Sequence, residues 1–459
     1  MSNTRTVKDS MGEMEIPVDV LYAAQTQRAV NNFPISGKVM PENFIRALLR
    51  IKRAAAQVNA HLGVLEQPKA SAIVAACESL EADARLMRHF PVDVFQTGSG
   101  TSTNMNANEV IATLGSESLD QPLSANDDVN FGQSSNDVIP SAIHFSAALA
   151  LQDDLLPALR YLVNVTSDRA QNLAGFVKTG RTHLMDAMPV GLDQAVEAWA
   201  EQVRRDIASL ESIHQDVCDL ALGGTAVGTG INTHPDFAAG VCEILNAESG
   251  LNLRPASSRF ALMASQDTAV ALSGNLKTVA VSLMKISNDL RWMNSGPLSG
   301  LGEISLEALQ PGSSIMPGKV NPVIPEAVAM VSAQVIGNDT TITIAGQSGN
   351  FELNVMLPVI ASNLLESIEL LSKAARLLGE RAIATMVVNQ ENIERALSRN
   401  PILVTALNPV IGYAAAANIA KLAYETGQPV IEVALEETDL DRVTLERLLD
   451  PRRLTRGGL

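Results

Sequence analysis

Between Leu272 and Met293 the apolar residues fall at Leu272, Leu276, Val279, Leu283, Ile286, Leu290 and Met293. Steps of four and three alternate without a break, which is the spacing of a helix face that packs along a seam. A chain built from such segments has few ways to fold, because each long helix must lie against others of similar length. The stretch Leu192 to Leu220 behaves alike, through Val196, Trp199, Val203, Ile207, Leu210 and Val217. Asp153 to Leu173 and Asn363 to Leu378 also read as helices. Helices of about 30 residues span about 45 Å at 1.5 Å per residue, so the pattern predicts a mostly α fold around a long central helical bundle. Composition agrees: 46% of residues are hydrophobic but only 3% aromatic, the makings of an aliphatic helical core.

The bundle pattern occupies residues 133–389. Residues 1–132 differ, with a short Ile16–Val20 segment, turn-rich stretches and helices expected over Glu42 to Leu62 and Ala70 to Met87. Residues 390–459 read as a small helical tail ending in the polar run Asp450 to Leu459. Some long helices, such as Ala264 to Ala280, carry small or apolar residues on more than one face. A helix apolar on several sides is buried on several sides, and the same helices in other subunits are the candidate neighbours, so a homo-oligomer is expected.

The 459 residues carry a net charge of −16, which argues against nucleic acid and anionic membrane as partners. A small dianionic substrate would be repelled at long range, so any anion site must be locally basic. Cys77, Cys218 and Cys242 are odd in number and lack metal-ligand spacing, so they read as reduced core residues. The N-terminal residues show no signal-peptide pattern and no run approaches 18 apolar residues. A cytoplasmic location is the expectation.

Four polar segments interrupt the helical pattern: Thr97-Gly98-Ser99-Gly100-Thr101-Ser102-Thr103-Asn104, Gln133-Ser134-Ser135-Asn136-Asp137, Gly180-Arg181-Thr182-His183, and the loop Gly312-Ser313-Ser314-Ile315-Met316-Pro317-Gly318-Lys319-Val320-Asn321-Pro322. The last packs hydroxyls, a lysine and an amide among glycines and prolines, so it is a polar loop suited to anions. It fails the phosphate-loop pattern, since five residues separate Gly312 from Gly318 and Val320 follows Lys319. Taken singly, each segment also has a plain structural reading. Ser134 to Asp137 fits a helix N-cap, Gly98 to Thr101 fits a tight turn, and a lone His183 fits a structural histidine. The run Gly223-Gly224-Thr225-Ala226-Val227-Gly228-Thr229-Gly230 follows a helical region with no βαβ pattern around it, so it reads as a helix-ending loop and not a nucleotide site.

Together these segments resemble the class II fumarases of the aspartase/fumarase superfamily, over essentially the whole chain. Asp19 to Arg28, Met105 to Val110, Gly302 to Ser305 and Gly349 to Asn354 match as well. The resemblance implies a 20-helix core in a homotetramer, with each active site drawn from three subunits. It implies reversible hydration of fumarate to (S)-malate by anti addition and elimination, a step of the tricarboxylic acid cycle, without metal or organic cofactor. The small dicarboxylate would be the partner.

By the same resemblance Ser313 is the base, His183 acts on the departing hydroxyl through a bound water, and Glu326 orients that histidine. Ser99, Gly100, Thr101, Ser134, Ser135, Asn136, Thr182, Ser314, Lys319, Val320 and Asn321 match substrate-binding positions. Removing the C3 proton of malate places charge on the neighbouring carboxylate, so fixed donors and a cation aimed there are the main lever. A serine serves as base only where its alkoxide is stabilised. Many relatives have His-Pro before the Asn-Asp-Asp run, at a second anion site; this chain has Ser124 and Ala125 before Asn126 and Asp127, and Phe131 where a family lysine stands. That site is therefore expected to be altered. The enzymatic rival is an aspartate ammonia-lyase of the same superfamily, whose members usually have glutamine in place of His183 and usually lack the Asn232-Thr233-His234-Pro235 continuation.

Overall fold

A computed structural model describes residues 4–457 and is mostly helical. The long helices are Leu156–Asn172, Leu192–Val217, Asp267–Met293, Val323–Gly346 and Leu357–Leu378. The predicted seam is real: Leu272, Leu276, Val279, Leu283 and Leu290 are fully buried. By length and hydropathy Asp267–Met293 could cross a membrane, yet half of its most apolar window is buried inside the fold. All three cysteines are buried free thiols, and burial pushes Cys242 up to about 12. The last two residues of the expected polar tail lie outside the described range.

The helix expected over Ala70 to Met87 instead runs Gln67–Ala82, followed by a short 3-10 turn at Leu86–His89. Pro68 starts it in the first turn, where no N–H is needed. Asp83 leaves the helical conformation and its carboxylate accepts from the Arg85 amide at 2.8 Å, a local turn that competes with another helical residue. Small two-stranded sheets complete the fold, the larger being the antiparallel hairpins Thr4–Asp9 with Gly12–Pro17 and Val177–Thr182 with Met185–Gly191.

Two compact units form, each from three separate stretches of chain. The division into 1–132, 133–389 and 390–459 follows the order of the sequence; the units follow packing, and their boundaries fall inside the long helices.

The first unit comprises the chain up to Pro157, Asp206–Ala280 and Ser332–Ser372. Its centre is the Glu42–His61 helix, which buries Phe44, Ile45, Leu48, Leu49 and Ile51 and packs on the Gln67–Ala82, Ser135–Ala150 and Phe237–Ser249 helices. The Ala24–Asn32 helix has no capping side chain at its own N-terminus. Glu109, from the Thr101–Ser116 helix, accepts from the amides of Ala23, Gln25 and Thr26 at 2.9, 2.8 and 3.1 Å, and from the Thr26 hydroxyl at 2.6 Å. A remote carboxylate thus does the work of a cap and suits the positive end of the helix dipole.

The second unit comprises Ala158–Arg205, Val281–Val331 and the chain from Lys373 onward. Trp199 is buried, and its indole N–H donates to Asp289 at 3.1 Å. The C-terminal helices enclose a core of their own, including Leu407, Ile419, Ala434 and Leu445. Asn400 ties that region to the Val177–Gly191 hairpin by donating to the Ala187 carbonyl at 2.8 Å.

One buried histidine in the first unit links fold to pH. His144 is 3% exposed, and its Nδ1 lies 2.6 Å from the Asp219 carbonyl, so Nδ1 carries the proton of the neutral ring. Burial pushes its pKa down to about 4. A histidine whose folded pKa is depressed stabilises the fold fully above the unfolded value, near 6.5, and loses that contribution as pH falls through the folded value. We expect stability to decline between about pH 6.5 and about pH 4 by about 3 kcal/mol from this residue. His144→Asn, which can keep the bond to Asp219, should flatten that part of the profile in urea unfolding measured across pH.

Candidate active site

In the first unit one carboxylate joins two polar segments of the chain. Ser134 caps the Ser135–Ala150 helix in a reciprocal box with Asp137, whose Oδ1 accepts from the Ser134 amide at 2.9 Å. The other oxygen of Asp137 accepts from the amides of Gly223 at 3.0 Å and Thr225 at 2.8 Å. Asn136 adds a bond from its Nδ2 to the Ala226 carbonyl at 2.8 Å. The capping reading and the binding reading of this segment are therefore compatible: Asp137, the acidic partner in the capping box, also holds the glycine run beside Ser134, Ser135 and Asn136. Contrary to the expectation, the run follows a strand, Asp219–Leu220, and the Phe237–Ser249 helix leads on to its parallel partner Arg254–Pro255; with two residues per strand and no third strand in that sheet, this βαβ crossing is too small for a nucleotide fold. Burial pushes the Asp137 carboxyl up to about 6, against the pull of its backbone donors and of Lys52.

The segment Thr97 to Asn104 lies against the same helix. Gly100, at φ 72°, leads into the Thr101–Ser116 helix, and a Cβ on it would come within 2.9 Å of the Ile139 side chain. A Cβ on Gly98 would meet the Val355 carbonyl oxygen at 1.9 Å, and the Leu357 amide donates to the Gly98 carbonyl at 3.0 Å. The glycines are thus required by close backbone approach. Ser99 and Thr101 share a hydroxyl hydrogen bond of 2.8 Å. The region thereby brings Ser99, Thr101, Ser134, Asn136 and the buried Ser135, 8% exposed, together at neighbouring helix N-termini, where orphan amides and helix dipoles favour an anion.

At the altered second anion segment, the Ser124 hydroxyl caps the short helical turn Ala125–Val129 by accepting from the Asp127 amide at 3.0 Å and donates to the Asp127 carboxylate at 2.9 Å. The Ser124 amide donates to Asp128, which also pairs with Lys69 at 2.9 Å. The polar groups of Ser124 and Asp127 are engaged with their own turn, and the neighbouring cation Lys69 is matched to a carboxylate.

The second unit holds the remaining segments. The signature loop closes on itself: the Gly312 amide donates to the Lys319 carbonyl at 2.7 Å, and Asn321 Nδ2 donates to the Gly312 carbonyl at 2.8 Å. Lys319 Nζ donates to Asn321 Oδ1 at 2.7 Å, which leaves the other ammonium hydrogens for an incoming anion. The Ser313 hydroxyl oxygen accepts from the amides of Ile315 at 3.3 Å and Met316 at 3.1 Å. Two backbone donors aimed at one oxygen favour negative charge on it. Ser314 and Val320 are exposed on the same loop. Lys319, Asn321 and Glu326 line a cavity of 1520 Å³ together with Arg291, Trp292 and Asn294.

Thr182 and His183 stand at the end of the Val177–Gly191 hairpin, where Thr182 pairs with Met185. The two corner residues, His183 and Leu184, take φ values of 57° and 61°. Positive φ at both corners makes a tight primed turn, which glycine or asparagine ordinarily fills. The left-handed region costs a side-chain-bearing residue about 1–2 kcal/mol. Among the described residues His183 and Glu326 are not joined by a hydrogen bond.

Two residues escaped the sequence reading. Glu303, quoted there only within a matching stretch, is 3% exposed and accepts from Arg181 at 2.6 Å and from Lys178 at 3.1 Å. It anchors the strand that leads to His183. Lys52 is fully buried in the first unit and donates to Asn130 and Gln133 at 3.0 Å each. A signal was present in the sequence: Ile45, Leu48, Lys52, Ala55 and Asn59 recur at helical spacing, which puts a lysine on an apolar face.

The comparisons agree in kind. A family model described as "Lyase" matches residues 12–337, and one described as "Fumarase C C-terminus" matches residues 403–456. The chain is 63% identical to a class II fumarate hydratase of Pseudomonas aeruginosa, with all of both chains covered. It is 56% identical to a class II fumarate hydratase of Xylella fastidiosa, over 100% of this chain and 98% of that one. Among solved structures, a class II fumarase from Schistosoma mansoni superposes with a TM-score of 0.96 at 36% identity, covering 98% of this chain and 99% of the other.

Asp137→Asn tests the junction of the first-unit segments. An amide there turns one acceptor into a donor facing backbone N–H groups. We expect a loss of about 2–4 kcal/mol, the scale of breaking a buried charge-assisted network, read as a lower urea midpoint of unfolding.

Proposed function

The chain belongs to the class II fumarate hydratase family, and from that premise we propose that it interconverts fumarate and (S)-malate by anti addition and elimination of water. The full-length similarity to class II fumarate hydratases carries this reading, and His183 supports it against ammonia elimination from aspartate.

The chemistry follows from the loop. Ser313 removes the C3 proton of malate, and the amides of Ile315 and Met316 favour the alkoxide that makes a serine basic. Charge then builds on the adjacent carboxylate as the aci-carboxylate forms. Lys319 meets that charge, held by Asn321 on one of its hydrogens, while Ser314 adds a donor. Asn321 in turn is fixed by the Gly312 carbonyl, so the loop presents its lysine with little freedom left to lose. Ser99, Thr101, Ser134, Ser135 and Asn136 hold carboxylate oxygens at helix N-termini. His183, with Thr182 beside it and Glu326 orienting it, passes a proton to the leaving hydroxyl through a water; an imidazole suits this because its ordinary pKa lies near working pH.

We further propose that the working form is a cytoplasmic homotetramer whose sites are completed by neighbouring subunits. A cavity of 1520 Å³ beside Lys319 exceeds the usual size of a small-molecule pocket, about 300–1,000 Å³, so another surface is needed to close it around a four-carbon diacid. Leu298 and Ile315 in the second unit are 96% and 83% exposed, and Phe351 in the first is 92% exposed. Large apolar side chains left bare next to site segments suit contact with further copies of the chain.

Absorbance of fumarate decides the substrate. Malate should generate it and aspartate should not; activity on aspartate alone would assign the ammonia-lyase chemistry instead. Ser313→Ala should lower turnover by several orders of magnitude with unchanged size in solution, whereas near-full activity would remove serine from the role of base. His183→Asn should impair turnover with the fold retained, as judged by circular dichroism; insolubility of that variant would return His183 to a structural role.

A further inference from the structure

Beneath Ser135 lies a buried set of polar side chains that the proposed mechanism does not use. Lys52, on the Glu42–His61 helix, is 0% exposed, and its nitrogen donates to Asn130 Oδ1 and Gln133 Oε1. Asn130 Oδ1 also accepts from Asn104 Nδ2 and Asn108 Nδ2, each at 3.1 Å, while Asn130 Nδ2 donates to the Gln133 carbonyl at 3.1 Å. Asn104, 1% exposed, sends its second N–H to the Ser135 hydroxyl oxygen at 3.1 Å.

The direction of each bond follows from Lys52. In its charged form a lysine has three donors and no acceptor, so the side-chain atom of Asn130 that faces it is the oxygen. That oxygen in turn takes nitrogen from Asn104 and Asn108, whose own side-chain oxygens stay buried without a partner among the described residues. Burial pushes Lys52 down to about 7, yet the neutral amine still has two N–H groups, enough for both oxygens. With its amide nitrogen committed, Asn104 can only donate to Ser135. A hydroxyl that accepts one hydrogen bond keeps its own proton for another acceptor. Ser141 and Ser146, deeper in the same helix, give their protons to the carbonyls of Asp137 and Ala142. Ser135 is the first residue of that helix, and among the described residues no acceptor receives its proton.

We propose that Lys52, Asn130 and Asn104 are positioning residues that fix the direction of the Ser135 hydroxyl proton, so that Ser135 offers the substrate carboxylate a donor. The inference rests on the assignment of Ser135 to substrate binding. It gives a role to a buried lysine whose hydrogen-bond partners are neutral amide oxygens, with the Asp137 carboxylate as its charge counterpart.

A double-mutant cycle on malate kinetics tests it. Asn104→Asp has nearly the same shape but accepts at the position facing Ser135, which turns the serine proton inward. KM for malate should rise by about tenfold or more, the scale of one charge-assisted hydrogen bond, with a smaller change in kcat. Ser135→Ala should raise KM similarly, and the two changes together should give no more than Ser135→Ala alone. Effects that multiply, or an unchanged KM in Asn104→Asp, overturn the relay. Should Asn104→Asp fail to fold, Lys52→Met carries the same cycle, since it trades a buried amine for an apolar chain of similar length: a KM rise that vanishes in the Ser135→Ala background supports the relay, and one that persists overturns it. A wild-type protein inactive on malate overturns the functional reading and the relay with it, whereas an active wild type with multiplying effects overturns the relay alone.

Discussion

The carboxylate of Asp137 is the constraint on which the first unit's share of the site depends. It completes the cap of one helix and binds two amides of the glycine run. A carboxylate with no contact to solvent tolerates burial only when its oxygens are satisfied, so the backbone donors around it have little room to move. The positions of Ser134, Ser135 and Asn136 follow from that. Capping is therefore not an alternative to function at this segment; it is the means by which three short polar side chains are held at a helix start. Glu109 repeats the device at the Ala24–Asn32 helix, where a carboxylate from a distant helix supplies the missing cap.

The second unit solves the same problem without a buried cap. Its loop carries its own frame, with Gly312 bonded to Lys319 and to Asn321 across the turn. A Cβ at Gly312 would lie 2.6 Å from the Lys319 carbonyl oxygen, so the closure demands glycine. The hairpin bearing His183 is anchored from below by Glu303, which holds Lys178 and Arg181 together. Rigid support and exposed chemistry are thus separated by a few residues in each case, as a preorganised site requires.

Much of this was legible in the sequence, for reasons that differ by element. The seam from Leu272 to Met293 was readable because burial of one face repeats with the helix period, and every seam position is buried. The signature loop was readable because prolines and glycines exclude helix and strand there. Helix ends were less so: at Asp83 a single side-chain bond to a nearby amide stops a helix that the apolar pattern would continue. The hairpin at Val177–Gly191 was not read as strands, since its buried residues include Lys178, whose charge partner Glu303 lies more than 100 residues away. Lys52 was passed over because an isolated lysine reads as solvated unless its helical phase is checked against its neighbours. Glu303 offers no such cue, because its pairing with Lys178 and Arg181 spans more than 100 residues of chain.

The left-handed corner at His183 and Leu184 has a consequence for anyone who would make this protein hardier. Glycine or asparagine at either corner would relax the backbone, and at position 183 the relaxed residue would replace the imidazole. Only at Leu184 is the relief separable from the imidazole: glycine there would relax one corner and leave His183 in place.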